Sequence, residues 1–278
     1  MALDLNAPGR KIGPLVHDYS FRDVILYALS VGAGFEEFSY VYEKGLKVIP
    51  TFSVATVFDF FWESAKSAGV NPEGILHGEQ EIFFYKPMPL SGTLTTEGEI
   101  TDYFDKGSRG VLIRAESDTK HSDDSILFRN VMTLFSRLYG GFGGKAGSSK
   151  PVLFPDTPSD NDIAFTTAPH QPLLYRLTGD YFPLHADPEF AAKAGFPKPI
   201  MHGMCTLGFA CRALIAALIP GQPELTKRIS CRFAHPLYPG ESIRTLVWKD
   251  GNNKAFWRVV NATSGQVIID NGIFEYES

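Results

Sequence analysis

The sequence predicts an α+β protein built twice over, with each copy a buried helix enclosed by an antiparallel sheet. Three observations carry this. Two helix-length segments are apolar on nearly every face, strand-like stretches follow each of them, and the two sets line up with one another.

The first helical segment is TFSVATVFDFFWESAKSAG, Thr51–Gly69. The second is HGMCTLGFACRALIAALI, His202–Ile219, in which Arg212 is the only charge. A helix apolar all round belongs inside a protein. Each is entered through a proline and a short apolar step, Ile49-Pro50 in one case and Pro199-Ile200-Met201 in the other.

The strand-like stretches are EQEIFFYKPMP, TLTTEGEITDYF, RGVLIRAESD and SILFRNVMTLF in the first half. In the second they are KRISCRFAHPLYP, SIRTLVWKD, KAFWRVVNAT and QVIIDNGIFEYE. All are rich in β-branched and aromatic residues and bounded by Gly, Pro, Asp or Asn. The closing pair, ILFRN and VIIDN, puts Asn130 and Asn271 at matching points, as expected of an internal duplication. A sheet wrapped around a helix explains why no helix face needs to be polar.

Between the halves, Gly140–Asp162 is rich in Gly, Ser, Pro and Asp and reads as a linker. The expected organisation is a unit over residues 1–140, a linker over 141–162 and a second unit over 163–278. The glycines do not make a phosphate loop. Ala146 follows Lys145 where a P-loop needs Ser or Thr. Gly141, Gly143 and Ala146 fit a looser dinucleotide pattern, but Ser148–Pro151 follows at once and is expected to start no helix.

The net charge of −5 excludes the basic footprint of a nucleic-acid binder. Three cysteines, Cys205, Cys211 and Cys231, form no CxxC, so neither a disulfide framework nor a zinc site is expected, and no metal is implied. The N-terminal stretch lacks a signal-peptide core, and no apolar run is long enough to span a bilayer. The expectation is a cytoplasmic protein with no membrane partner.

Chemistry concentrates in one loop, GDYFPLH, Gly179–His185. Upstream of the second helix the chain reads LYRLTGDYFPLH, and upstream of the first, LYALSVGAGFEE. Where the second copy has Gly179-Asp180, the first has Val31-Gly32, with neither acid nor histidine to match. Scaffold needs alone do not predict that asymmetry. An Asp and a His converging on one water can remove and deliver protons in the same event, and Pro183 stiffens the loop between them. The alternatives are that Asp180 caps the helix-like HADPEFAAKAG, or that the pair is a structural hydrogen bond. A second feature is PIMHGM, Pro199–Met204. Its His202-Gly203 opens the buried helix, where free N–H groups favour negative charge, and Gly203 permits close approach by a ligand oxygen.

Together these segments resemble the signature region of the type-2 enoyl-CoA hydratases. These are the MaoC-like group of the hot-dog fold, which includes the hydratase portion of the peroxisomal multifunctional enzyme of β-oxidation. HGEQEIFFYKPMPLSGTL, DKGSRG and GGFGGK extend the likeness over nearly the whole chain. The resemblance implies a double hot-dog fold and reversible syn hydration of trans-2-enoyl-CoA to (3R)-3-hydroxyacyl-CoA. It requires no cofactor, because the CoA thioester is the substrate, and it implies a homodimer.

On this resemblance the acid/base pair falls on Asp180 and His185, and the oxyanion N–H on Gly203. Substrate and CoA contacts fall on His77, Gly78, Lys106, Tyr181, Phe182, Pro183, Leu184 and Phe233. Taken alone, Lys106 reads as a turn lysine, His77 as a strand-edge histidine and Phe233 as core. Phe182 departs from the family, which has an asparagine there. Its ring cannot make the amide's hydrogen bonds, a loss of ~1–3 kcal/mol or roughly 10–100-fold in rate. Two alternatives therefore stand beside simple hydration: action on an unusual acyl-CoA in either direction, and a non-catalytic acyl-CoA-binding subunit.

Overall fold

Strand order makes the duplication explicit. The computed structural model describes residues 2–71, 74–147 and 151–278. The first half runs β1 (Lys11–Tyr19), α1 (Phe21–Ser30), α2 (Phe52–Ala55), α3 (Phe58–Ser67), β2 (Ile75–Phe84), β3 (Gly92–Asp105), β4 (Val111–His121) and β5 (Ile126–Ser136). The second runs β6 (Asn161–Thr166), α4 (Gln171–Tyr175), α5 (Pro188–Lys193), α6 (Gly203–Leu218), β7 (Thr226–Phe233), β8 (Ser242–Lys249), β9 (Lys254–Asn261) and β10 (Val267–Tyr276).

One ten-stranded sheet is ordered β1-β3-β4-β5-β2-β7-β10-β9-β8-β6. Read outward from its centre, each half has the same order. The halves join where β2 and β7 pair antiparallel, with Gln80 opposite Cys231 and Ile82 opposite Ile229. Ion pairs cross this seam: Arg232 Nε donates to Glu79 Oε1 at 2.8 Å, and Arg228 Nε to Glu81 Oε1 at 2.7 Å. The fold is the double hot dog expected from the sequence.

The strands follow their side-chain alternation. β4, VLIRAESDTKH, buries every second residue from Val111 to Thr119, as a sheet with one face on a helix must. ILFRN and VIIDN differ in detail. Asn130 lies in regular pairing opposite Ile82, whereas β10 carries a register shift after Asp270 and Asn271 has φ 54°.

The two central helices are less alike than their sequences suggest. α6 is one continuous helix with every residue from Met204 to Ile215 buried. Arg212 tolerates this because Nη1 donates to Val31 O at 2.7 Å and Nε to Glu37 Oε2 at 2.8 Å. The first helix is broken. Thr56 Oγ1 donates back to Ser53 O at 2.7 Å, and Val57 leaves helical geometry at φ −119°, ψ 19° before α3 begins. The β-branched Val54, Thr56 and Val57 weaken the helix there. α3 also exposes Asp59 and Lys66, so it is amphipathic rather than apolar all round.

The glycine-rich stretch after β5 has its anion already. The Asp105 carboxylate accepts from the N–H groups of Gly107 at 2.8 Å, Gly141 at 2.7 Å and Gly143 at 2.7 Å. These amides are therefore committed to the chain's own carboxylate. The expectation that no helix starts at Ser148–Pro151 falls partly outside the described residues. β6 begins at Asn161, two residues inside the stretch read as linker.

Candidate active site

The Asp–His loop is shaped by backbone first. After a 3-10 turn over Arg176–Thr178 the chain reverses at Gly179, whose φ of 129° suits only glycine. Asp180 follows, and the Phe182 N–H donates to its Oδ1 at 3.2 Å. Pro183 starts a second 3-10 turn that ends at His185. The His185 Nδ1–H donates to Ile200 O at 3.0 Å, which leaves Nε2 as the free nitrogen. Asp180 does not cap the next helix. Asp187 caps α5, accepting from Glu189 N at 2.8 Å and Phe190 N at 3.3 Å.

His202 joins this pair. It is 1% exposed and stacks on the His185 ring, with centroids 3.7 Å apart and planes 28° apart. Its Nε2–H donates to Asp180 O at 3.2 Å and lies 3.9 Å from Asp180 Oδ2. One potential ligand atom from each of Asp180, His185 and His202 lies within 4.8 Å of the other two. Such a trio could in principle hold a metal. However, the two rings lie nearly face to face, and one nitrogen of each is committed to a carbonyl. Lone pairs on near-parallel rings do not converge well on a single ion, so the geometry suits proton exchange better than coordination.

Burial sets the charges. It pushes the Asp180 carboxyl up to about 7, opposed by the Phe182 amide and the nearby Arg176 charge. It pushes His185 down to about 4, opposed by the Ile200 carbonyl. His202 lies well below its ordinary value, through burial and then the neighbouring His185. Near neutrality the site holds two neutral imidazoles beside a carboxyl that keeps its proton far above the ordinary carboxylate range.

A cavity of about 560 Å³ opens beside them, a size ordinary for a ligand site. Of the residues singled out in the sequence, Asp180, His185, Gly203, His77, Gly78, Lys106, Phe182, Leu184 and Phe233 line it. Tyr181 and Pro183 do not. Tyr181 is 58% exposed, with the Arg176 guanidinium 5.2 Å from its ring centre. Gly203 is the first residue of α6, and no side chain caps that end. Its amide thus belongs to the turn whose N–H groups lack helical partners. A Cβ at Gly203 would sit 3.0 Å from the Phe233 ring, so glycine keeps this corner open.

The cavity walls come from both halves. The break before α3 allows Phe58, Phe61 and Trp62 to face it, and Trp62 packs on Phe182 at 5.3 Å between ring centres. His77 sits between Phe61 at 5.4 Å and Phe233 at 5.2 Å. Lys106 reaches the lining, but its ammonium is tied back: Nζ donates to Ala146 O and, at 2.9 Å, to Gly147 O. Arg109 and Arg137 are exposed on the same lining. Sequence reasoning missed His202, Trp62, Arg109 and Arg137 as site residues. The signal for His202 was its place beside the oxyanion glycine. Arg109 lay within DKGSRG.

Known proteins resemble both halves of the chain. Residues 152–271 match the MaoC like domain, and residues 17–138 match the MFE-2 hydratase 2 N-terminal domain. Enoyl-CoA hydratase ChsH3 of Mycobacterium tuberculosis is 36% identical over 98% of each chain. The chain belongs to the MaoC-like hydratase 2 family. Another family member, peroxisomal multifunctional enzyme type 2 of Mus musculus, is 38% identical over 96% of this chain, which spans 38% of that longer protein. Among solved structures, a MaoC-like dehydratase from Phytophthora capsici superposes with a TM-score of 0.86 at 32% identity, covering 99% of this chain and 97% of that one. No described helix is long and apolar enough to cross a membrane.

Proposed function

We propose that the protein catalyses reversible syn hydration of trans-2-enoyl-CoA to (3R)-3-hydroxyacyl-CoA. The observation that carries this is the convergence of one carboxyl, one neutral imidazole and one helix-start amide on a single cavity. Water oxygen attacks Cβ while His185 Nε2 takes one of its protons. The Asp180 carboxyl gives its proton to Cα. The Gly203 N–H donates to the thioester oxygen as it gains enolate charge. The proton gained by His185 returns to Asp180, and the reverse sequence is dehydration. The working state is the pair with one shared proton, because the reaction accepts one proton and delivers one.

The aromatic wall of the first half serves the acyl group. Lys106, Arg109 and Arg137 lie where CoA phosphates would meet positive charge. A homodimer in the cytoplasm completes the proposal. The dimer rests on the family resemblance alone, and light scattering reads it. The location stands against the peroxisomal one in the mouse relative's name, and imaging of a tagged chain decides.

Phe182 favours one refinement. Its ring packs on Trp62 and, at 5.2 Å, on Phe190, so an acyl group here meets an aromatic face where the family resemblance implies an amide. The test is loss of the conjugated enoyl-thioester absorbance with chiral analysis of the product. Turnover to the (3R) alcohol is expected. Tight CoA-ester binding with no turnover would make the protein a binding subunit, and a (3S) product would refute the proposed facial geometry.

A further inference from the structure

Next to the main cavity, and sharing Asp180 with it, lies a second and much smaller space of about 20 Å³. A space needs roughly 10–15 Å³ to hold one water, so this one suits a single molecule. Asp180 and His77 line both spaces. The small one is completed by Gln80, Asn130, Tyr175 and Thr178 among apolar neighbours that include Ala55 and Val57.

Two buried polar atoms here, His77 Nε2 and Gln80 Oε1, make no hydrogen bond of good geometry, although the two side chains are near enough to interact with each other. The Gln80 amide nitrogen is already committed: it donates to Asn130 Oδ1 and, at 3.3 Å, to Glu81 O. That commitment fixes the side chain so that its oxygen remains to be satisfied. Unpaired buried polar atoms are costly, on the order of 1–3 kcal/mol each, and one water in a space of this size satisfies two of them at once. Asp180 is similarly under-supported. Its side chain is 12% exposed, yet its carboxylate accepts one hydrogen bond, from Phe182 N at 3.2 Å, with His202 Nε2 more distant at 3.9 Å. The Phe182 side chain offers no polar group.

We propose that one ordered water in this chamber, held by Gln80 Oε1 and His77 Nε2, hydrogen-bonds the Asp180 carboxyl and fixes its orientation for proton transfer. Gln80 is thereby a positioning residue. The water is distinct from the one consumed in the reaction, because Gln80 and Asn130 line only the small space, whereas His185 and Gly203 line only the large one. It supplies the hydrogen-bonded support that the aromatic ring at position 182 cannot. The kinetic part of this inference rests on the hydratase reading; the water itself does not.

The test has two arms. A crystal structure of the full chain at about 1.5 Å should show one solvent peak within ~3.2 Å of Gln80 Oε1, His77 Nε2 and an Asp180 oxygen. A dry chamber, or a peak out of reach of Asp180, overturns the proposal. Kinetically, Gln80→Met removes the acceptor, while Ala55→Val fills the chamber and leaves every polar group intact. Each should lower kcat on trans-2-enoyl-CoA about 5–20-fold with KM within about twofold, since orientation and not binding is lost. Unchanged kcat in either folded variant overturns it. If the wild-type protein hydrates no enoyl-CoA, the hydratase reading fails and the crystallographic arm alone decides the water.

Discussion

The two halves share a strand order but not a chemistry, and a few glycines show why. Gly179-Asp180 in the second copy aligns with Val31-Gly32 in the first. An acid cannot be accommodated at Gly32: its φ is 83°, and a Cβ there would lie 2.3 Å from the Phe209 ring. Val31 is pressed just as closely onto α6, 2.3 Å from where a Cβ on Gly208 would be. The first copy uses this corner to seat the other half's central helix, and the second uses it to hold Asp180 beside a cavity. Tyr27 and Tyr175, equivalent in the repeat, meet with ring centres 6.1 Å apart. The helices divide in the same way. α6 is continuous and starts with an open glycine, whereas the break before α3 turns Phe58, Phe61 and Trp62 towards the cavity. Duplication lets one copy keep the reactive groups and the other supply a wall.

The comparison breaks most sharply if the second copy's pair proves dispensable. Asp180→Asn and His185→Ala should each lower kcat about 10³-fold or more, some 4 kcal/mol, while CoA-ester binding survives. Next in size, Gly203→Val should cost about 10²-fold, because its side chain drives Phe233 into the oxyanion corner. Steady-state rates on one enoyl-CoA measure all three. Removing both mouth guanidinium groups, Arg109→Ala with Arg137→Ala, should raise KM about tenfold and weaken its salt dependence, with kcat little changed.

The pH profile carries its own sign. The one-proton state is lost as pH rises through about 7, where Asp180 gives up its proton, and again as pH falls through about 4, where His185 gains one. Log kcat/KM should therefore decline on both sides of that window, and Asp180→Asn should abolish the alkaline limb. Smaller again is Phe182→Asn, for which turnover of short straight-chain enoyl-CoAs should rise severalfold. A fall instead would mark the aromatic ring as the preferred surface for the natural acyl group. Gly32→Asp sharpens the comparison from the other side. It should create no second centre and should lower stability by about 3 kcal/mol through overpacking, read by chemical denaturation.

Eight of the ten strands were legible because apolar alternation and turn residues mark them locally. β1 and β6 were not. KIGPLVHDY carries a glycine and a proline inside it, and β1 pairs only with β3. NDIAFT is short and pairs only with β8. Both are edge strands, where pairing on one side relaxes the residue pattern. The broken first helix was hidden because its apolar content is the same whether the chain bends at Val57 or runs straight. Asp180 and His185 stood out because only four residues separate them in the chain. The stacking of His202 on His185 and the approach of Trp62 to Phe182 depend on elements distant in sequence, which no local pattern encodes.

The most direct test is a crystal structure of the Asp180→Asn protein with an unreacted trans-2-enoyl-CoA. The thioester oxygen is expected about 3 Å from the Gly203 nitrogen, with Cα and Cβ facing residue 180 and His185. A thioester seated elsewhere, or with its oxygen turned away from Gly203, would contradict the proposed hydration.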